Sequence, residues 1–220
     1  MINTVKYYDG VNAMGVKDRR ARQKTLLRQQ ILDAARELLV REGYENLSMR
    51  RVAERIDYSP TAIYLHFKDK QELVFSLCEE TFAKLVRELE TLPDEFPDPL
   101  VQLRKGMQRY IDFGLKHPDH YLPAFVLPQP ADVSERRRKA VTSPDSNGMR
   151  ALGCLRDCIV TGVRARKLKK IDPDLAARAT WAALHGVTSL LIVHPHFPWG
   201  DREHVIDIML DSLMDGLKRR

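Results

Sequence analysis

Between Ser59 and Lys70 the sequence SPTAIYLHFKDK sets polar and aromatic groups in a tight register. Ser59 and Pro60 open a short helix as an N-cap followed by a first-position proline. Thr61, Ala62, Tyr64, Leu65 and His66 are its exposed positions. Small, aromatic and neutral side chains of this kind make apolar and hydrogen-bond contacts to base edges in the major groove. Arg50 and Arg51 stand near the start of the preceding helix. Lys68 and Lys70 flank the start of the following one, where backbone N–H groups and the helix dipole already favour a phosphate. The chemistry on offer is recognition of double-stranded DNA.

Other reactive side chains offer less. Cys154 and Cys158 share a helix face at i and i+4 and read as small buried hydrophobes. His194 and His196 lie in a proline-rich turn without the Asp, Glu or Cys partners of a zinc site. Glu135 to Lys139 reads as a solvated charge run. There is no Gly-rich phosphate loop, nucleophile elbow, metal pair or closely spaced carboxylate dyad. The expectation is a binding protein that uses neither cofactor nor metal, and not an enzyme.

These residues need a scaffold, and the apolar spacing supplies one made of helices alone. Leu27, Ile31, Ala34, Ala35, Leu38 and Leu39 form one stripe of a helix that Gly43 can end. Ser48 caps a second, very short helix with Val52, Ala53 and Ile56 on its inner face. After a turn at Asp57 and Tyr58, the third runs from Pro60 to about Phe67. Two such short helices cannot stand alone and must pack on their neighbours, which is the arrangement of a helix-turn-helix. Asp69 with Glu72 opens a fourth helix by reciprocal capping, and PDEFPDP at residues 93–99 stops it. Further helices are expected from Leu100 to Lys116, Met149 to Leu168, Pro173 to Val193 and Asp201 to Lys218, with residues 127–147 a loop around one short polar helix. The fold class is all-α. Three domains are expected: a flexible basic arm over residues 1–24, a helix-turn-helix domain over 25–70, and a larger helical ligand-binding and dimerisation domain over 71–220.

Charge agrees with this division. The 220 residues carry 36 Lys+Arg and 30 Asp+Glu, a formal charge of +6. Residues 1–70 hold 14 basic and 9 acidic groups and the remainder 22 and 21, so the excess sits beside the candidate DNA contacts. A basic module on a near-neutral body suits a polyanion partner. The longest strongly apolar stretch, Trp181 to Val193, contains His185, Gly186 and Ser189 and is shorter than the ~20 residues that cross a bilayer. No membrane partner is expected. The N-terminus lacks the apolar core of a secretion signal, and three cysteines suit a reducing compartment. The expected location is the cytoplasm, on the nucleoid.

Arg28 to Val74 closely resembles the DNA-binding domain of the tetracycline-repressor (TetR) family. Ser48 stands for the opening Thr of the family pattern, Val52-Ala53 for Ile-Ala, and Ser59 for its Ser. Tyr64 and His66-Phe67 match the aromatic cluster, and Lys70 and Leu73 the close; Asp57 replaces the usual Gly. Trp181-x-x-x-His185-Gly186 and His117-Pro118-x-x-Tyr121 resemble the C-terminal domain of the TetR subgroup named for its Trp-His-Gly motif. The resemblance implies a homodimer formed by the last two helices and a ligand pocket inside the larger domain. Tyr110, Phe113, His117, Tyr121, Phe125, Trp181 and His185 are the candidate pocket residues, a lining suited to an apolar or aromatic small molecule. The implied function is a ligand-responsive regulator, a repressor on a palindromic operator that a small hydrophobic molecule releases. The alternative is a DNA-binding cell-division or chromosome-organising protein on the same scaffold, with a protein partner in place of the ligand. A closed, mostly apolar cavity within residues 100–195 favours the former, and a filled core with an exposed apolar patch the latter.

Overall fold

A computed structural model describes residues 15–126 and 139–219. Ten α-helices follow one another among them: α1 (Val16–Asn46), α2 (Met49–Arg55), α3 (Pro60–Tyr64), α4 (Lys70–Leu89), α5 (Leu92–Glu95), α6 (Pro99–Lys116), α7 (Pro118–Tyr121), α8 (Asn147–Arg164), α9 (Pro173–Val193) and α10 (Arg202–Leu217). A π-helical turn, Leu122–Val126, extends α7.

Local rules set most boundaries. Ser48 Oγ accepts from Arg51 N at 3.2 Å, Ser59 Oγ from Ala62 N at 3.3 Å, and Asp69 Oδ1 from Glu72 N at 2.7 Å. Glu72 reaches back to the backbone N–H of Lys68 (2.7 Å), so the start of α4 is capped from both sides. Asp57 adopts φ 57, the left-handed conformation that the turn demands and that Asp tolerates. Gly43 bends α1 at φ 78, yet one more turn continues to Asn46. The helix expected to reach Leu168 ends at Arg164, because Arg166 turns left-handed at φ 57 and Leu168 folds back onto Gly162.

One expectation is corrected. Residues 16–24 are the first turns of α1, not part of a non-helical arm. Their side chains from Lys17 to Lys24 are exposed on all sides, so no apolar periodicity marks them. The first fourteen residues of the expected arm lie outside the described residues, as do 127–138 of the expected loop; residues 139–141 form a helical turn.

Two separate cores form, and α4 is shared between them. Ile31, Ala35 and Leu39 of α1 join Val52, Ile63, Phe67, Leu73 and Leu77 in closing the small N-terminal unit. Leu85, Val86 and Leu89 of α4 join α6, α8, α9 and α10 in the larger one. By length and composition α9 could cross a membrane. Its apolar content has another account: Ala176, Ala177, Thr180, Leu184, Thr188 and Leu191 are buried against the bundle. Where α6 crosses α9, Gly114 leaves no room for a side chain, since a Cβ there would lie 2.4 Å from Thr188 Cγ2 and 2.9 Å from Tyr121.

Candidate nucleic-acid interface and interior cavity

The recognition element is α3 and the turn after it. Ile63 and Phe67 are buried and fix its inner face, while Tyr64 and Leu65 are 55 % and 77 % exposed. Thr61 is exposed, Ala62 and His66 half-buried. Burial, then the charges of Lys24 and Arg28, lower the pKa of His66, so its ring presents a neutral donor and acceptor. Ser59 and Pro60 serve the helix start. The same charges show that α1 runs beside α3. Its first turns and Arg28 bring six cations, Lys17, Arg19, Arg20, Arg22, Lys24 and Arg28, to one end of the helix, all exposed and with no ion pair among the described residues.

The four basic residues expected to contact DNA separate into two kinds. Arg50 is 81 % exposed and makes a pair with Glu54 on its own helix, and Lys68 is exposed. Arg51 is tied to α1 through Glu42 and the Asn46 carbonyl. Lys70 is turned inward, donating to the Tyr44 carbonyl at 2.7 Å with its ammonium 4.0 Å from the Tyr44 ring. The bend at Gly43 leaves that carbonyl at a helix end, where a cation is stabilised. Lys70 is thus placed to hold α1 against α4, away from the position the sequence reading assigned it.

In the larger unit, α4, α6, α8 and α9 line a partly open cavity of about 680 Å³. Phe75, Cys78, Phe82, Leu85 and Leu89 wall it from α4, and Leu103, Gly106, Met107 and Tyr110 from α6. Met149, Leu152, Cys154, Leu155 and Cys158 face it from α8, and Trp181, Leu184 and His185 from α9; Phe125 closes one end. Of the seven residues expected to line one pocket, Tyr110, Phe125, Trp181 and His185 stand in this wall. Phe113, His117 and Tyr121 do not. The α6 stripe continues to Phe113 and Gly114, but there Thr188 and Tyr121 close down on the helix. Phe113 is 2 % exposed and packs on the His117 ring, with centroids 5.3 Å apart. Tyr121 is fully buried behind the wall. The α4 and α8 contributions were missed: their apolar stripes are legible, but a stripe facing a cavity reads like a stripe facing a core.

Burial governs the chemistry of the lining. It pushes the Cys158 thiol up to about 11 and raises Cys154, so both remain protonated and weakly nucleophilic. It also pushes the Tyr110 hydroxyl up to about 12, against the hydrogen bonds from Tyr121 and Trp181. Trp181 Nε1 donates to Tyr110 Oη (3.2 Å), Tyr110 Oη meets Tyr121 Oη (3.0 Å), and Tyr121 Oη meets His185 Nδ1 (2.7 Å).

Between the two units lies a polar junction. Arg36 of α1, 7 % exposed, binds Asp33 and Glu80 at 2.7 Å each. Lys84 pairs with Glu80 at 3.1 Å and donates to His120 Nε2 at 3.0 Å. Burial, then Arg36 and Lys84, lower the pKa of His120, and burial alone lowers that of His185. Folding holds both rings neutral, whereas the unfolded chain binds protons near pH 6.5. Stability is therefore expected to be level above pH 7 and to fall as pH drops through 6.5 towards 5. Urea midpoints that stay constant across that window would contradict this.

Residues 31–77 match the bacterial regulatory proteins of the tetR family, and residues 103–215 the tetracyclin repressor-like C-terminal domain. The HTH-type transcriptional repressor Rv1474c of Mycobacterium tuberculosis is 26 % identical over 164 residues, covering 68 % of this chain and 87 % of that protein. The HTH-type transcriptional repressor AcnR of Corynebacterium efficiens is 34 % identical over 94 residues, 43 % of each chain. In fold, the chain resembles the transcriptional regulator FadR of Bacillus subtilis, solved with stearoyl-CoA. The TM-score is 0.74 at 18 % identity, over 86 % of this chain and 98 % of that one. A helix-turn-helix unit carried on a helical body defines a transcription regulator of the DNA-binding class. The chain belongs to the TetR family of bacterial regulatory proteins.

Proposed function

We propose that this regulator is a ligand-responsive repressor: a homodimer that holds a palindromic operator and lets go when a small apolar molecule occupies the cavity. The cavity carries this reading. An interior space of about 680 Å³ with an almost wholly apolar wall suits a hydrophobic ligand, where a protein-binding relative of the same scaffold would have a filled core. Relatives bearing the name repressor, and a fold neighbour solved with stearoyl-CoA, support the same reading. The dimer is assigned to α9 and α10. Leu175, Leu190 and Val193 of α9 and Ile208 of α10 are 62, 46, 44 and 55 % exposed, an apolar surface that a second copy would cover in a four-helix bundle. Action in the cytoplasm, on chromosomal DNA, follows from this role.

On DNA, Thr61, Ala62, Tyr64, Leu65 and His66 read base edges, while Arg50 and Lys68 take phosphates. Ser59 and Pro60 set the helix start, and Arg51 and Lys70 position α2 and α4. The basic turns of α1 add backbone contacts. Selection from a random duplex pool is expected to enrich a two-fold symmetric site; an unenriched pool would refute operator recognition. Replacing Arg19, Arg20 and Arg22 together by Ala is expected to lower the salt slope of binding by about 2–3 units and to leave the enriched sequence unchanged. Leu65→Ser, in contrast, should shift base preference by about 1–3 kcal/mol at one position of each half-site.

A further inference from the structure

The wall of the cavity is apolar apart from Glu79, Thr142 and the Tyr110, Trp181 and His185 end, and the hydrogens at that end can be counted. Trp181 Nε1–H donates to Tyr110 Oη at 3.2 Å, and the next links are 3.0 Å to Tyr121 Oη and 2.7 Å to His185 Nδ1. If the hydroxyls point along that path, Tyr110 donates to Tyr121 and Tyr121 to His185 Nδ1. Every hydrogen of the three inner groups is then used, and the ring proton of His185 sits on Nε2. In the reverse orientation His185 donates to Tyr121 and Tyr121 to Tyr110, which also receives Trp181. The Tyr110 hydroxyl hydrogen is then left without an acceptor in an apolar wall, at a cost of ~1–3 kcal/mol. A third arrangement, in which Tyr121 accepts from both Tyr110 and His185, would turn the Tyr121 hydrogen towards Thr188, whose hydroxyl makes its short bond to the Leu184 carbonyl (2.7 Å). The forward orientation alone places every one of these hydrogens in a short bond, and the tautomer is assigned on that ground. Among the described residues it leaves one donor unpaired, His185 Nε2–H, on a residue that lines the cavity.

Two further observations bear on what that donor meets. The cavity follows α4 from Phe75 to Leu89, about 21 Å at 1.5 Å per residue, a shape for an extended chain. Glu79 is the charged residue among the described lining residues, and Asn147 N and Nδ2 already hold its carboxylate at 3.1 and 2.9 Å. A second anion would enter an apolar space beside a negative charge, which is costly without a paired cation.

We propose that the cavity takes a neutral, extended molecule whose carbonyl-type acceptor is bound by His185 Nε2–H, the ring being set for this by Tyr121 and Tyr110. This rests on the ligand-sensing reading above and narrows it to a chemical class. A free fatty carboxylate is disfavoured, and a neutral long-chain ketone or ester is the fit.

The test uses the full-length dimer with 2-dodecanone, dodecane and dodecanoate, read by Trp fluorescence and by the shift in melting temperature. The ketone is expected to bind at least tenfold more tightly than either of the others. In a long-range proton–nitrogen spectrum of the protein, the His185 proton is expected on Nε2. Tyr121→Phe keeps the ring but removes both the partner of His185 Nδ1 and the acceptor of the Tyr110 hydroxyl; it frees the tautomer and is expected to cut the ketone's advantage over dodecane several-fold. His185→Phe, which keeps a ring in place, should abolish it. Dodecanoate binding as tightly as the ketone, ketone and dodecane binding alike, or a proton on Nδ1 each overturns the proposal while leaving an apolar sensor. Failure of all three probes to bind overturns both the proposal and the sensor on which it rests.

Discussion

A Leu190→Glu protein is expected to sediment as a monomer and to bind its operator at least a hundredfold more weakly than the parent. Leu190 points outward from α9 at 46 % exposure, so its replacement leaves the core of the single chain intact, and helix content should not change. In the assigned bundle the two-fold axis places the new carboxylate twice in one apolar interface, at a cost of several kcal/mol for unpaired charges. A monomer still carries a complete helix-turn-helix. It loses the second half-site, whose binding in the dimer is an intramolecular event at a millimolar-scale effective concentration. Leu190→Ala should weaken association far less, because it removes area without adding charge. A Leu190→Glu dimer that stays intact at micromolar concentration with normal operator affinity would remove α9 from the interface.

The second large effect is expected at the junction of the two units. Arg36→Met should destabilise the protein by about 2–4 kcal/mol, because Glu80 is a fifth exposed and loses its best partner. The lower part of that range is favoured by what Glu80 keeps: Lys84 at 3.1 Å and Gln29 Nε2 at 3.3 Å. Combining Arg36→Met with Glu80→Gln should recover part of the loss, since it neutralises the stranded carboxylate. A double-mutant cycle in urea measures that coupling. Strict additivity of the two changes would show that the pair contributes nothing to holding α1 on α4.

The helix-turn-helix was legible because its rules are local. Ser48, Ser59 and Asp69 each bond a backbone N–H within three residues, and Asp57 meets the turn's demand for a left-handed residue through its own tolerance. The basic turns of α1 were not legible as helix, since periodicity is written by burial and Lys17 to Lys24 are not buried. Lys70 shows a different limit. Its charge and its place at the start of α4 are in the sequence, but the Tyr44 carbonyl that receives it arrives from twenty-six residues away. In the larger unit Tyr110 and Tyr121 looked alike as aromatic groups near one interior. One lines the cavity and the other backs it, and the difference comes from how closely Gly114 lets α6 approach its neighbours.

The sharing of α4 has a thermodynamic consequence. Leu73, Val74 and Leu77 belong to the small core and Leu85, Val86 and Leu89 to the large one, with buried Thr81 and the polar junction between them. Each apolar set is closed in itself, and opening of the small core once the junction bonds break is expected to leave the large one ordered; hydrogen exchange that protects α1–α3 and α6–α10 equally would contradict this. In the repressor proposed above, each copy then has a way of leaving the operator in which the reading unit is transiently loosened and not moved as a whole. A ligand that stiffens the cavity wall affects DNA through whichever of these states it binds better, and the loosened one requires no second well-packed arrangement of α1 to α3.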